Sequence, residues 1–138
     1  MYPDRDSTIK VWELDTGMLL NTLWGHSSYV HSVAITSDNT KIVSGSTDKT
    51  IKVWDLNTGE LLITLVGHSG PVKSVAITSD NSKIVSGSWD ETIKVWDFNT
   101  GKVLYILKDH AERVDCVSIA SDNTKIVSGS KDGVHLGS

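Results

Sequence analysis

The chain has 138 residues, of which 38% are hydrophobic and 22% charged, and its formal net charge is −4. This is the composition of one soluble globular domain, and the negative balance excludes a surface built for nucleic acid or an anionic membrane. No apolar run approaches the ~20 residues of a membrane helix, no basic and apolar leader is read at the start, and the lone cysteine, Cys116, allows neither an intrachain disulfide nor a multi-cysteine metal site. A cytoplasmic location is the resulting expectation.

The chain repeats itself. Asp6-Ser7-Thr8-Ile9-Lys10-Val11-Trp12-Glu13, Asp48-Lys49-Thr50-Ile51-Lys52-Val53-Trp54-Asp55 and Asp90-Glu91-Thr92-Ile93-Lys94-Val95-Trp96-Asp97 are copies of one stretch, 42 residues apart. His26, His68 and His110 keep that step, as do Gly17, Gly59 and Gly101. A fixed period of this length marks a repeat architecture. One unit spanning 1–138 is expected, with repeats at 6–47, 48–89 and 90–131.

One period reads as follows. Thr50 to Leu56 alternates, placing Ile51, Val53 and Asp55 on one face and Lys52 and Trp54 on the other, in β-branched and aromatic residues that favour strands. Asn57-Thr58-Gly59 reads as a hairpin loop in which Asn starts an Asx-turn and Gly supplies a positive φ. Leu61 to Val66 is the next strand, and Gly67-His68-Ser69-Gly70 leads out of it. Val72 to Thr78 is a third strand, turned back by Ser79-Asp80-Asn81-Ser82 into Lys83 to Ser88, the fourth. Trp89-Asp90-Glu91 then opens the next copy. Four short strands joined by tight turns predict an all-β antiparallel meander. No stretch has a helical period, and Pro3 and Pro71 fall at edges.

These residues carry a resemblance. Gly67-His68, the Ser-Gly-Ser of the fourth strand, Asp90 and Val95-Trp96-Asp97 together resemble the WD40 repeat of β-propellers, over essentially the whole chain. Glu13 stands where the other copies have Asp, and Asp109 stands where Gly25 and Gly67 do. The resemblance implies four-stranded blades around a central channel, each running from an inner strand A to an outer strand D. In chain order it implies strands C and D (8–14, 18–24), a full blade (30–36, 41–46, 50–56, 61–66), a second full blade (72–78, 83–88, 92–98, 103–108), and strands A and B (114–120, 125–130). That is three blades' worth with one blade cut in half, below the ~4–8 blades of typical propellers. The open B edge at the end needs a C strand, and the start of the chain carries one. Closure between copies is therefore expected, with two copies sharing split blades in a six-bladed ring or three copies in a nine-bladed ring.

Each repeat holds a His, a Ser, an Asp and a Trp: His26, Ser44, Asp48 and Trp54 in the first full blade, then His68, Ser86, Asp90 and Trp96 in the second. One reading is a Ser-His-Asp nucleophile system. The resemblance implies another, a buried hydrogen-bond tetrad in which each member satisfies the next. A catalytic set is needed once, whereas a set repeated in every blade is a device of the fold, so no catalytic residue is assigned. The third tetrad has to be assembled from two chains: His110 and Ser128 from one, Trp12 from the next, and either Asp132 or the neighbour's Asp6. The histidines stand one per blade, too far apart to share a metal, and no metal or cofactor is expected. His31 and His135 read as isolated, exposed polar positions, and Cys116 as a small buried residue of an inner strand.

The repeats differ in clusters. After the Gly-His pair they carry Tyr29 and His31, Pro71 and Lys73, and Arg113 and Asp115; before the tetrad Asp they carry Thr47, Trp89 and Lys131. By resemblance these positions ring one mouth of the channel. A constant frame with one varied rim suits a protein or peptide-binding surface. The leading reading is a non-enzymatic interaction scaffold. The alternative is a fragment or engineered building block of a larger WD40 propeller with no ligand of its own, and a hydrolase using the repeated Ser-His-Asp stands third.

Overall fold

The computed structural model describes residues 7–108 and 112–130. Twelve strands are found among them: β1 (Ile9–Trp12), β2 (Leu19–Leu23), β3 (Val30–Ile35), β4 (Lys41–Ser46), β5 (Thr50–Asp55), β6 (Leu61–Val66), β7 (Val72–Ile77), β8 (Lys83–Ser88), β9 (Ile93–Asp97), β10 (Val103–Leu107), β11 (Val114–Ile119) and β12 (Ile126–Ser130). They form two four-stranded antiparallel sheets, β3-β4-β5-β6 and β7-β8-β9-β10, flanked by the two-stranded sheets β1-β2 and β11-β12. This is the expected order of half blade, two full blades and half blade. Among the described residues no helix is long and apolar enough to cross a membrane.

The middle strands depart from simple alternation. Ile51, Lys52, Val53 and Trp54 are all buried, not only one face of them. A blade inside a stack is covered on both faces by its neighbours, so period two does not appear in its burial. Lys52 is accommodated because its ammonium donates to Thr64 Oγ1 at 2.9 Å. The inner strands lie side by side, and each blade presses a glycine against the next. A Cβ on Gly45 would lie 2.7 Å from Val72 Cγ1, and one on Gly87 2.8 Å from Val114 Cγ1. The main core joins both full blades through Val43, Val53, Leu65, Val72, Val75 and Ile84.

The turns use side-chain oxygens in place of backbone partners. The hairpin after β5 is an Asx-turn, but Asp55 makes it rather than Asn57: Asp55 Oδ1 accepts the N–H groups of Asn57 and Thr58, each at 2.9 Å. Asp97 repeats this toward Asn99 and Thr100. An ionised carboxylate is a stronger acceptor than an amide oxygen, and its strand position aims it at the turn. In the turn after β3, Asp38 accepts from Thr36 Oγ1 at 2.6 Å and Thr40 Oγ1 at 2.7 Å. These bonds to the carboxylate hold Asp38 at about 2. The next residue, Asn39, is left-handed with φ 62°, a conformation Asn tolerates.

Neighbouring blades are also stitched at these turns. Asn81 Oδ1 accepts from Ser37 N at 3.0 Å while its amide donates to Ser37 Oγ, and Asn123 repeats both bonds to Ser79. Inner strands are joined by one more bond per junction: Ser32 Oγ accepts Val75 N–H at 3.2 Å and Ser74 Oγ accepts Val117 N–H at 3.1 Å.

Cys116 corrects an expectation. It lies in the inner strand β11 as predicted, yet it is exposed. Its equivalents Ser32 and Ser74 face a following blade, whereas nothing among the described residues lies beyond β11-β12.

Candidate functional site

The four residue types of each full blade meet in a chain of hydrogen bonds. His26 sits just before β3, Ser44 in β4, Asp48 in the turn between β4 and β5, and Trp54 in β5. His26 Nδ1 lies 2.8 Å from Asp48 Oδ2, and Nε2 lies 2.7 Å from Ser44 Oγ. The Trp54 indole N–H donates to the same Ser44 Oγ at 2.9 Å. A neutral ring with its proton on Nδ1 fits this chain: it donates to Asp48, accepts the Ser44 hydroxyl at Nε2, and leaves Ser44 a lone pair for the indole. In the second full blade His68, Asp90, Ser86 and Trp96 repeat the arrangement at 2.7, 2.7 and 2.8 Å. The glycines before His26 and His68 leave room for the indoles, since a Cβ on Gly25 would lie 2.7 Å from Trp54 Cη2 and one on Gly67 3.0 Å from Trp96 Cη2.

In the first full blade burial favours a neutral His26, and hydrogen bonds favour a charged Asp48. Burial pushes His26 below its ordinary value, and the Asp48 carboxylate only partly opposes this. Burial pushes Asp48 upward, but hydrogen bonds from Thr50, His26 and the Ser27 N–H outweigh it and leave the carboxyl below its usual range. Asp90 is lowered in the same way. Ser44 and Ser86 are both 0% exposed. Neither hydroxyl reaches the surface, and each already meets a histidine, an indole and, at 3.4 Å, the carbonyl of Lys52 or Lys94.

A fifth member escaped the sequence reading. Thr50 Oγ1 donates to Asp48 Oδ1 at 2.6 Å and its N–H donates to the same atom at 2.9 Å; Thr92 does the same for Asp90. The signal was present, because Thr8, Thr50 and Thr92 all stand two residues after the repeated Asp. Ser46, the other serine on that face of β4, works elsewhere: it donates to Ser28 O and accepts Asp48 N–H. The split third set is only partly in view. Trp12 is 57% exposed at the start of the chain and Ser128 lies in β12 at the other end. His110, Asp132 and Asp6 lie outside the described residues, as do Lys131 and His135. Among the described residues no group of three His, Cys, Asp or Glu side chains is placed to hold a metal.

The positions that vary between repeats lie at the starts of the inner strands and in the turns before the tetrad Asp. Thr47 N–H donates to Tyr29 O, and Trp89 N–H donates to Pro71 O. His31 is exposed but not isolated, because it hydrogen-bonds Thr47 Oγ1 and lies 3.2 Å from Lys73 Nζ. Partial burial and the Lys73 charge both lower its pKa. Trp89 is half-buried rather than an open platform. The Lys73 ammonium and the Arg113 guanidinium each lie 4.4 Å from the centroid of its ring, and its indole donates to Asp115 Oδ1 at 2.9 Å. Tyr29, His31, Thr47, Pro71, Lys73, Trp89, Arg113 and Asp115 therefore fall into two joined clusters spanning three inner strands.

Comparison with known proteins bears on this frame. The family model described as "WD domain, G-beta repeat" matches residues 17–55, 59–97 and 101–134. An uncharacterized WD repeat-containing protein of Schizosaccharomyces pombe is 42% identical over 43 residues, a segment making up 31% of this chain and 12% of that protein. The chain thus covers a small part of the length of this curated relative. With three family matches spanning most of its residues, the chain belongs to the WD40-repeat family.

Proposed function

We propose that this chain is a non-enzymatic interaction scaffold that works as a closed homo-oligomeric propeller, of six blades from two copies or nine from three, with a split blade shared between copies. The observation that carries this reading is the pair of open ends. An apolar groove bounded by Val11, Trp12, Val33 and Ile35 lies beside the first half blade, where among the described residues β1 pairs only with β2. At the other end, no strand among the described residues pairs with the second side of β12. Exposed apolar sheet edges invite pairing, and a head-to-tail interface satisfies both ends at once. The two tetrads then act as fasteners. The cluster of Tyr29, His31, Thr47, Pro71, Lys73, Trp89, Arg113 and Asp115 offers the surface for a protein or peptide partner, since aromatic and arginine side chains supply binding energy out of proportion to their number. The single thiol suits a reducing compartment such as the cytoplasm.

The test is absolute mass in solution by native mass spectrometry over a concentration range. A persistent dimer or trimer is expected; a folded monomer at every concentration overturns ring closure. A second reading, a segment of a larger propeller, is favoured by the small share of the S. pombe protein that the match covers. It predicts open-ended aggregates instead.

A further inference from the structure

We propose that the face of β11-β12 against which no other described strand packs is a seam for a second copy of this chain, built from the contacts of its own interior junctions but lacking one of their hydrogen bonds, because Cys116 stands where a serine acceptor is used. This rests on the ring reading above.

The interior junctions show what the open face accepts. At each, a glycine of strand B receives two valines of the following strand A: Gly45 receives Val72 and Val75, and Gly87 receives Val114 and Val117. Gly129 is the next glycine in that series, and Val30 and Val33 are the valines one period before Val72 and Val75. Val33 is 52% exposed while Val75 is 6% exposed, so the first strand A of the chain carries the knobs and the last strand B carries the matching flat.

Two further contacts extend the series. Leu23 packs under Gly59 and Leu65 under Gly101, at 2.8 and 3.0 Å from a built Cβ, while Gly17 has nothing within 4 Å. The next leucine in this series is Leu107, which is exposed. A second copy therefore brings its Gly17 onto Leu107. Likewise Asn81 and Asn123 bind the serine turns of the preceding blade, and the second copy's Asn39 meets Ser121 in the same way. The 42-residue register sets each valine opposite a glycine and each turn asparagine opposite a serine, and it does so in one direction only, from β11-β12 of one copy to the start of the next.

The exception is the inner-strand bond. Ser32 and Ser74 accept the N–H of Val75 and Val117. At the seam the corresponding acceptor is Cys116 Sγ, facing the second copy's Val33 N–H, and a thiol sulfur is a weak acceptor.

The experiment compares the wild type with Cys116→Ser, Cys116→Ala and Leu107→Asp by concentration-dependent native mass spectrometry. Maleimide labelling of Cys116 is followed on the wild type. Cys116→Ser is expected to lower the dissociation constant about tenfold per seam relative to Cys116→Ala, the worth of one neutral hydrogen bond. Leu107→Asp is expected to leave single folded chains, and labelling of the wild type to slow as the oligomer forms. A wild type that stays a single chain at all concentrations overturns the ring reading and the seam with it. A closed oligomer in which the serine and alanine variants dissociate alike, or in which Cys116 labels as fast as in single chains, overturns the seam alone.

Discussion

Val33 and Val75 occupy the same place in successive blades, on the same strand, in nearly the same local sequence. One is 52% exposed and the other 6%. Nothing in the residue or its strand accounts for this. Val75 is covered because a blade precedes it, and Val33 is open because only half of one does. In a repeat protein, burial belongs to the junction rather than to the residue. Among the described residues the molecule thus divides into interior junctions, where each contact is made, and two ends, where the equivalent residues lie exposed.

The sharpest way to break this division is at the tryptophans. Trp54 is 1% exposed and Trp12 is 57% exposed, although both stand in the same Ile-Lys-Val-Trp stretch. Trp54→Ala removes a large buried ring and leaves Ser44 without its indole donor, so a loss of about 3–5 kcal/mol is expected in denaturant unfolding of the single chain. Trp12→Ala removes a ring that water already reaches. It is expected to change single-chain stability by under about 1 kcal/mol and to weaken assembly instead. Equal losses of stability with no change in mass would mean that the two ends are not unfilled junctions.

How much of this was legible follows from the same division. The strand order follows from the 42-residue period and its turn residues, because a period constrains every copy at once, whereas the half blades and the meeting of His26, Ser44, Asp48 and Trp54 are expected only through the resemblance to WD40 repeats. Three features were not legible. Cys116 was expected to be buried because it lies in an inner strand, but burial there depends on a following blade. The Asx-turn was assigned to Asn57 on residue preference, whereas the carboxylate of Asp55 is placed by its strand to take both N–H groups. The cation–indole cluster at Trp89 joins Lys73, Arg113 and Asp115 from different strands and different repeats. Comparing repeats shows that those positions vary but not that they touch.

A middle-sized effect tests the packing side of the comparison. Gly45→Ala places a methyl 2.7 Å from Val72 Cγ1 and 3.1 Å from Val75 Cγ1. Both are branched side chains locked between blades, so an overpacking loss of about 1–3 kcal/mol is expected. Gly129→Ala places its methyl 2.6 Å from Cys116 Sγ, but that thiol lies on an open face and can rotate away. Calorimetry of single chains should show a clear drop in melting temperature for the first variant and a small one for the second. If the two drops are equal, the face of β11-β12 is not free to relax.

The smallest effect is electrostatic and concerns the buried network itself. His26 is neutral in the fold because burial lowers its pKa more than Asp48 raises it. Its unfolded value is near 6.5, so below that pH the unfolded chain binds a proton that the folded chain refuses. The contribution of His26 is therefore complete above about pH 6.5 and is lost as the pH falls below it. Asp48 is held below its ordinary 3.8 despite its burial, by Thr50, His26 and Ser27; its contribution persists to lower pH and is lost only as the pH falls below about 4. Acidification should thus weaken the fold in two successive stages, the first from the ring and the second from carboxylates. Urea midpoints of the wild type and of His26→Asn, taken at pH 8, 6 and 5, separate them. The asparagine variant is less stable throughout, but its midpoint should change less between pH 8 and 5, since its amide does not titrate. A wild-type midpoint that is flat over this range would show that the ring accepts a proton in place, and the neutral, Nδ1-protonated chain from Asp48 to Trp54 would have to be redrawn with an imidazolium donating to both Asp48 and Ser44.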